Sequence, residues 1–160
     1  MENNNIVLLF EKYSNMVLRI AFTYIKNIHD AEDICQKVFI KIYIKNKTFK
    51  NSEHEKYWII RVAINACKDM LRSSWKTRFI PCENIILPEM KNEYKEVLMH
   101  ILSIPIKYRN VLYLYYIENY STSEIALILK RKHSTVRTQL KRGREILKAE
   151  LKGGETLYVQ

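Results

Sequence analysis

The chain has 160 residues and carries 27 Lys/Arg against 17 Asp/Glu, a net charge of +10. That length allows one medium domain or two small ones, each with a modest core, and the positive excess points to a polyanionic partner, an anionic membrane surface being the competing reading. Only three glycines occur, none before Gly143, so residues 1–142 cannot supply a Gly-rich phosphate loop, a dinucleotide fingerprint or an Asn-Gly hairpin, which argues against nucleotide-dependent enzymes and meander sheets.

The opening MENNNIVLLFEKYSN carries an early Glu and only a short apolar run. It is unlike a signal peptide, and no later run approaches a membrane span, so the expectation is a soluble, cytoplasmic protein without membrane insertion. Ile6, Phe10, Tyr13, Val17, Ile20 and Tyr24 alternate spacings of four and three, with Ala21 and Ile25 widening the stripe. This predicts an amphipathic helix of about twenty residues. Asn27 to Asp30 breaks the pattern, and Asp30 is placed to cap the next helix.

That second helix is expected from Ala31 to about Lys45, with Ala31, Ile34, Cys35, Val38 and Ile42 on its core face. The opposite arc holds Asp33, Gln36 and Ile40, flanked by Glu32 and Tyr43 on one side and Ile44 on the other. An acid, an amide and isoleucines together describe a docking surface better than a solvated face. Asp30, Glu32 and Asp33 also raise a metal or acid/base reading, but acids are favoured in any first helical turn and no histidine is spaced to join them. No metal and no cofactor is expected.

After KNKTFKNSEHEK, polar apart from Phe49, a third helix is predicted over about His54 to Ser73. Tyr57, Arg61, Asn65, Lys68 and Arg72 form one polar row on it, bordered by Trp58 and Asp69, while Ile59, Val62, Ala63, Ala66 and Met70 fill the other side. Cations for phosphate, rings for stacking and an amide for base edges suit single-stranded or melted nucleic acid. From Trp75 to about Asn92 the periodicity fails and Pro81 and Pro88 appear, so a linker is placed at 76–92 between domains at 1–75 and 93–152. Its apolar residues Phe79, Ile80, Ile85, Ile86 and Leu87 suggest a segment that lies along a surface. Cys35, Cys67 and Cys82 are odd in number and far apart, which fits buried small apolar residues in a reducing compartment.

Helix resumes near Glu93 with Val97, Leu98, Ile101 and Leu102, and Pro105 starts another that carries Tyr108, Val111, Leu112, Tyr115 and Tyr116. Ser121 and Glu124 stand at capping-box spacing ahead of Ile125, Ala126 and Leu129. Ser134 is a second N-cap candidate, and behind it Val136, Leu140, Gly143 and Leu147 form an apolar face. Thr135, Arg137, Thr138, Lys141 and Arg142 are left facing outward. Between Ser121 and Lys152 nine Lys/Arg face three Glu, so the second helix of a helix-turn-helix presents a basic, hydroxylic surface suited to a major groove. Residues 153–160 read as a frayed tail.

In these motifs the chain resembles the extracytoplasmic-function (ECF) group of bacterial RNA polymerase sigma factors. DAEDICQKVFIKIY is similar to their region 2.2, WIIRVAINACKDMLR to regions 2.3–2.4, IPIKYRNVLYLYYIENYSTSEIA to region 4.1 and its lead-in, and the closing helix-turn-helix to region 4.2. The resemblance implies an all-α fold of two small helical domains, no catalysis of its own, and as partners core RNA polymerase (β′ and β subunits), promoter DNA and an anti-sigma factor. It implies that Asp30, Asp33, Gln36, Phe39 and Ile40 bind polymerase, chiefly the β′ clamp helices. Phe49, Tyr57, Trp58, Arg61, Asn65, Lys68 and Arg72 would melt and read the minus-10 element, and Thr135, Arg137, Thr138, Lys141 and Arg142 would read the minus-35 element. The linker would thread toward the RNA exit path. Lys37 replaces a glutamate common in the family, Lys130 and Ser134 stand where glycines are frequent, and Arg131 where an apolar residue is usual. Other classes fit less well. A stand-alone helix-turn-helix regulator has no use for the Asp33/Gln36/Ile40 surface. A helical nuclease needs converging ligands, whereas His29, His54, His100 and His133 fall in four segments. A membrane-surface protein needs a wide free apolar face.

Overall fold

The computed structural model describes residues 2–73 and 87–151, with the side chains of 2, 3 and 151 left aside. Seven α-helices and no strand occur among the described residues, and the chain divides into two compact units, 1–89 and 90–160. The predicted linker falls largely outside the described residues, as do Cys82 and the tail.

The first unit contains α1 (Glu2–Ile25), α2 (Ile28–Lys45) and α3 (Ser52–Ser73), each packed on the other two. Tyr13, Val17, Ile20, Ala21 and Tyr24 are buried as the stripe predicts, and Leu9, Met16 and Phe22 join them. Phe10 departs from the expectation: it is 47% exposed, on the rim of the core. From there it closes edge-on over Phe39 of α2, ring centroids 5.0 Å apart. The predicted core face of α2 is buried in full. Asn27, not Asp30, caps this helix, its side-chain oxygen accepting from the backbone N–H of His29 (3.0 Å) and Asp30 (3.2 Å). Asp30 lies in the first turn, where its charge suits the helix dipole. Likewise α3 starts two residues before the prediction, because the Asn51 side chain accepts from His54 N–H at 2.9 Å. The Tyr13 hydroxyl donates to Glu55 at 2.7 Å, tying α1 to α3.

The second unit is built around α5 (Ile106–Tyr116), which meets α4 (Asn92–Leu102), α6 (Thr122–Leu129) and α7 (His133–Leu151). Pro105 sits immediately before α5, at its N-cap. Arg109 donates from Nε to the Ile104 carbonyl at 2.8 Å, and burial lowers its pKa. A Cβ built on Gly143 would lie 2.8 Å from Leu112 Cδ1 and 3.3 Å from Tyr108 Cβ, so a hydrogen at this position is what lets α7 approach α5. In a chain without earlier glycines, helix ends use other residues in the left-handed region: Asn46 (φ 42°) closes α2 and Lys130 (φ 51°) closes α6. Asn tolerates that conformation readily, whereas a lysine there carries a steric cost of about 1–2 kcal/mol.

Candidate protein and nucleic-acid interfaces

Three surfaces stand out, two in the first unit and one in the second. On α2, Asp33, Gln36 and Ile40 are exposed along the side opposite the buried face, Ile40 at 59%. Ile44, one turn further on, is 73% exposed, the most exposed large hydrophobic among the described residues. Sequence reasoning noted Ile44 only as a flank, although its spacing of four from Ile40 continues the same row. Phe39, expected to contact a partner, is only 6% exposed. It borders the core face and Phe10 covers it, so it supports the surface from beneath. Asp30 is partly exposed at the helix start.

The second surface combines α3 with the loop before it. Phe49 and Trp58 are half-buried, with ring centroids 5.4 Å apart and planes tilted by 51°. The Lys47 ammonium lies 5.5 Å from the Trp58 ring and 6.0 Å from the Phe49 ring. Both aromatics line an open cleft of about 290 Å³, which Ile6 and Leu9 of α1 and Tyr43 of α2 also help to form. Asn65, Lys68 and Arg72 are exposed, and Arg72 donates to Asp69 on the border of the row. Arg61 is half-buried, its Nε enclosed with no partner among the described residues. Tyr57 does not belong to this surface. It is 8% exposed and its hydroxyl donates to Glu53 at 2.7 Å. A tyrosine whose one polar atom is satisfied a turn earlier is apolar enough to bury.

The third surface is the helix-turn-helix. Ser121 and Glu124 form the reciprocal capping box that opens α6. The next helix starts at His133, with Val136 N–H bonded to the Lys132 carbonyl at 3.1 Å, so Ser134 lies in the first turn instead of capping it. Its carbonyl accepts from Thr138 Oγ1 at 2.9 Å. Two side-chain bridges fix the turn: Thr122 Oγ1 to His133 Nε2 at 2.7 Å, and Arg131 Nη1 to Gln139 Oε1 at 2.9 Å. Arg131 is half-buried at a position where an apolar residue is usual, and Gln139 accepts from one of its guanidinium N–H groups. Val136, Leu140, Gly143 and Leu147 face the core, and Thr135, Arg137, Thr138, Lys141 and Arg142 are all exposed. Arg144 points the other way, its Nε donating to the Tyr116 hydroxyl at 2.6 Å and its guanidinium over the Tyr115 ring. It anchors α7 to α5.

Among the described residues no group of His, Cys, Asp or Glu is placed to hold a metal, and no helix is long and apolar enough to cross a membrane.

Family models describe both units. The model for Sigma-70 region 2 matches residues 9–77 and that for Sigma-70 region 4 matches residues 94–147. The ECF RNA polymerase sigma factor SigW of Bacillus subtilis is 30% identical over 159 residues, covering 88% of this chain and 85% of its own. The chain belongs to the ECF group of RNA polymerase sigma factors. SigM of the same organism is 31% identical over 150 residues, covering 88% of this chain and 91% of its own. The fold is similar to that of CnrH solved with the cytosolic domain of CnrY (TM-score 0.71, 19% identity, 96% of this chain and 91% of that one). It is also similar to that of the sigma factor RpoE from Bartonella quintana, solved with the anti-sigma factor NepR (TM-score 0.73, 16% identity, 94% and 99%). As an ECF sigma factor this protein binds core RNA polymerase and directs promoter-specific transcription initiation. Sigma factors are non-enzymatic initiation factors.

Proposed function

We propose a division of labour among the three surfaces. The α2 face of Asp33, Gln36, Ile40 and Ile44, with Asp30 at its edge, recruits the β′ clamp helices. The α3 row of Arg61, Asn65, Lys68 and Arg72, with Phe49 and Trp58, opens and reads the minus-10 element. The α7 face of Thr135, Arg137, Thr138, Lys141 and Arg142 reads the minus-35 element in the major groove. Residues 1–75 thus carry polymerase and minus-10 binding and residues 93–152 minus-35 binding. Phe39 and Tyr57 act by holding these surfaces in shape. The protein works in the cytoplasm, has no catalysis of its own, and is held silent by an anti-sigma partner, by analogy with RpoE from Bartonella quintana, solved with the anti-sigma factor NepR.

The observation that carries this reading is the exposed acid-amide-isoleucine row on α2, present beside two basic surfaces in one chain. DNA binding alone gives no reason to leave Ile40 and Ile44 in water. Stacking and base-edge contacts at the minus-10 surface are worth about 1–3 kcal/mol per base. Co-elution with core RNA polymerase in the absence of DNA tests the reading. The wild-type chain should co-elute, and Asp33→Arg should abolish co-elution with the circular dichroism spectrum unchanged. Undiminished binding by Asp33→Arg removes the α2 face from the account.

A further inference from the structure

The basic segment that the sequence singles out starts at Ser121, yet the α7 surface is not made by that segment alone. An open depression of about 300 Å³ is lined by Ser134, Thr135, Thr138, Gln139 and Arg142 of α7 together with Lys107 and Tyr108 of α5. Its lining holds two cations, four hydroxyls and one amide but no carboxylate. Lys107 is exposed, and its ammonium lies 5.0 Å from the ring centroid of Tyr108. Tyr108 is buried, and its Cβ stands 3.3 Å from where a Cβ on Gly143 would be. The close α5–α7 approach at Gly143 therefore sets where Lys107 stands: beside the face of α7 that carries Thr135, Thr138 and Arg142.

We infer that Lys107 binds a backbone phosphate of the same duplex whose major groove α7 reads. The inference rests on the proposed minus-35 role of α7. A helix seated in a major groove has phosphates along both walls, and a cation on a neighbouring element next to that helix meets the wall, not the base edges. Lysine acts there as a point charge, so its contribution is position without sequence preference. Lys107 thereby holds α7 in register while Arg137, Thr138, Lys141 and Arg142 meet the bases.

The test uses the full chain assembled with core polymerase, binding a promoter duplex and the same duplex with a scrambled minus-35 element, across a salt series. Lys107→Gln keeps much of the side-chain stem and removes the charge. It should make the slope of log K against log salt shallower by about 0.9 and lower the affinity roughly eightfold at 0.1 M salt, the loss fading toward 1 M. The preference for the intact element should stay unchanged, and Lys107→Arg should restore the slope. An unchanged slope for Lys107→Gln, or a lost sequence preference, overturns the inference. Arg142→Ala run in parallel separates the two ideas. If Arg142→Ala weakens binding and Lys107→Gln does not, the α7 reading stands and the Lys107 contact falls. If neither changes binding, both fall.

Discussion

Gly143→Ala isolates the contact on which the second unit is assembled. The added Cβ would lie 2.8 Å from Leu112 Cδ1, 3.2 Å from its Cγ and 3.3 Å from Tyr108 Cβ. Ordinary carbon contacts lie at about 3.5–4.0 Å, so the helices must separate or Leu112 must move. Leu112 is fully buried, and Tyr108 presents the stem of its side chain, which cannot rotate away. Overpacking of this kind costs about 1–3 kcal/mol, against a helix-propensity gain of about 1 kcal/mol for alanine over glycine. The net expectation is a loss of about 1 kcal/mol. Truncating the neighbour changes the sign. Leu112→Ala alone should cost about 2–5 kcal/mol. In that background the methyl at 143 enters vacated space, so Gly143→Ala should stabilise by up to about 1 kcal/mol, a coupling of about 2 kcal/mol across the cycle. Native-state hydrogen exchange of the α7 amides reads the opening free energy of this unit directly. Stabilisation by Gly143→Ala in the wild-type background, or additivity across the cycle, refutes the packing argument.

Two further predictions concern the first unit. Tyr57→Phe removes the bond to Glu53 and should lower stability by about 0.5–1.5 kcal/mol in urea, followed by tryptophan fluorescence, while promoter opening by the holoenzyme is unaffected; normal stability with impaired opening would return Tyr57 to the DNA surface. Burial in the core pushes the Cys67 thiol up to about 12 from an ordinary value of 9.0, so its contribution to stability is complete below pH 9 and is lost as pH rises toward 12. Because the thiolate is the reactive form, alkylation of Cys67 at pH 8 should track unfolding, and fast labelling of the native chain would contradict its burial.

Helix periodicity made the element order and the core faces of α2 and α7 legible, because each buries one continuous arc, whereas α6 buries Ile128 beside Ile125 and Ala126 and leaves the expected Leu129 half-buried. Errors fell where one side chain decides an outcome that periodicity does not encode. The start of α2 depends on whether the Asn27 or the Asp30 side chain reaches free N–H groups, and either sequence position suits a cap. The burial of Phe39 and Tyr57 depends on a covering ring from α1 and a hydroxyl partner at Glu53, two contacts that a helical wheel leaves out. The turn departs from the family at Lys130 and Arg131, yet Lys130 takes the left-handed conformation that a glycine usually serves, and Arg131 donates to Gln139. Ile44 carried a usable signal in its spacing from Ile40. Lys107 carried none, since only the packing of α5 on α7 brings it to that surface.

The most direct measurement is run-off transcription from a genomic promoter library by core bacterial RNA polymerase with and without this chain. Transcripts should appear only with the chain present, starting a fixed distance downstream of two shared sequence elements. Duplex DNA binding by the chain with no run-off transcript would contradict this role and leave a stand-alone helix-turn-helix regulator.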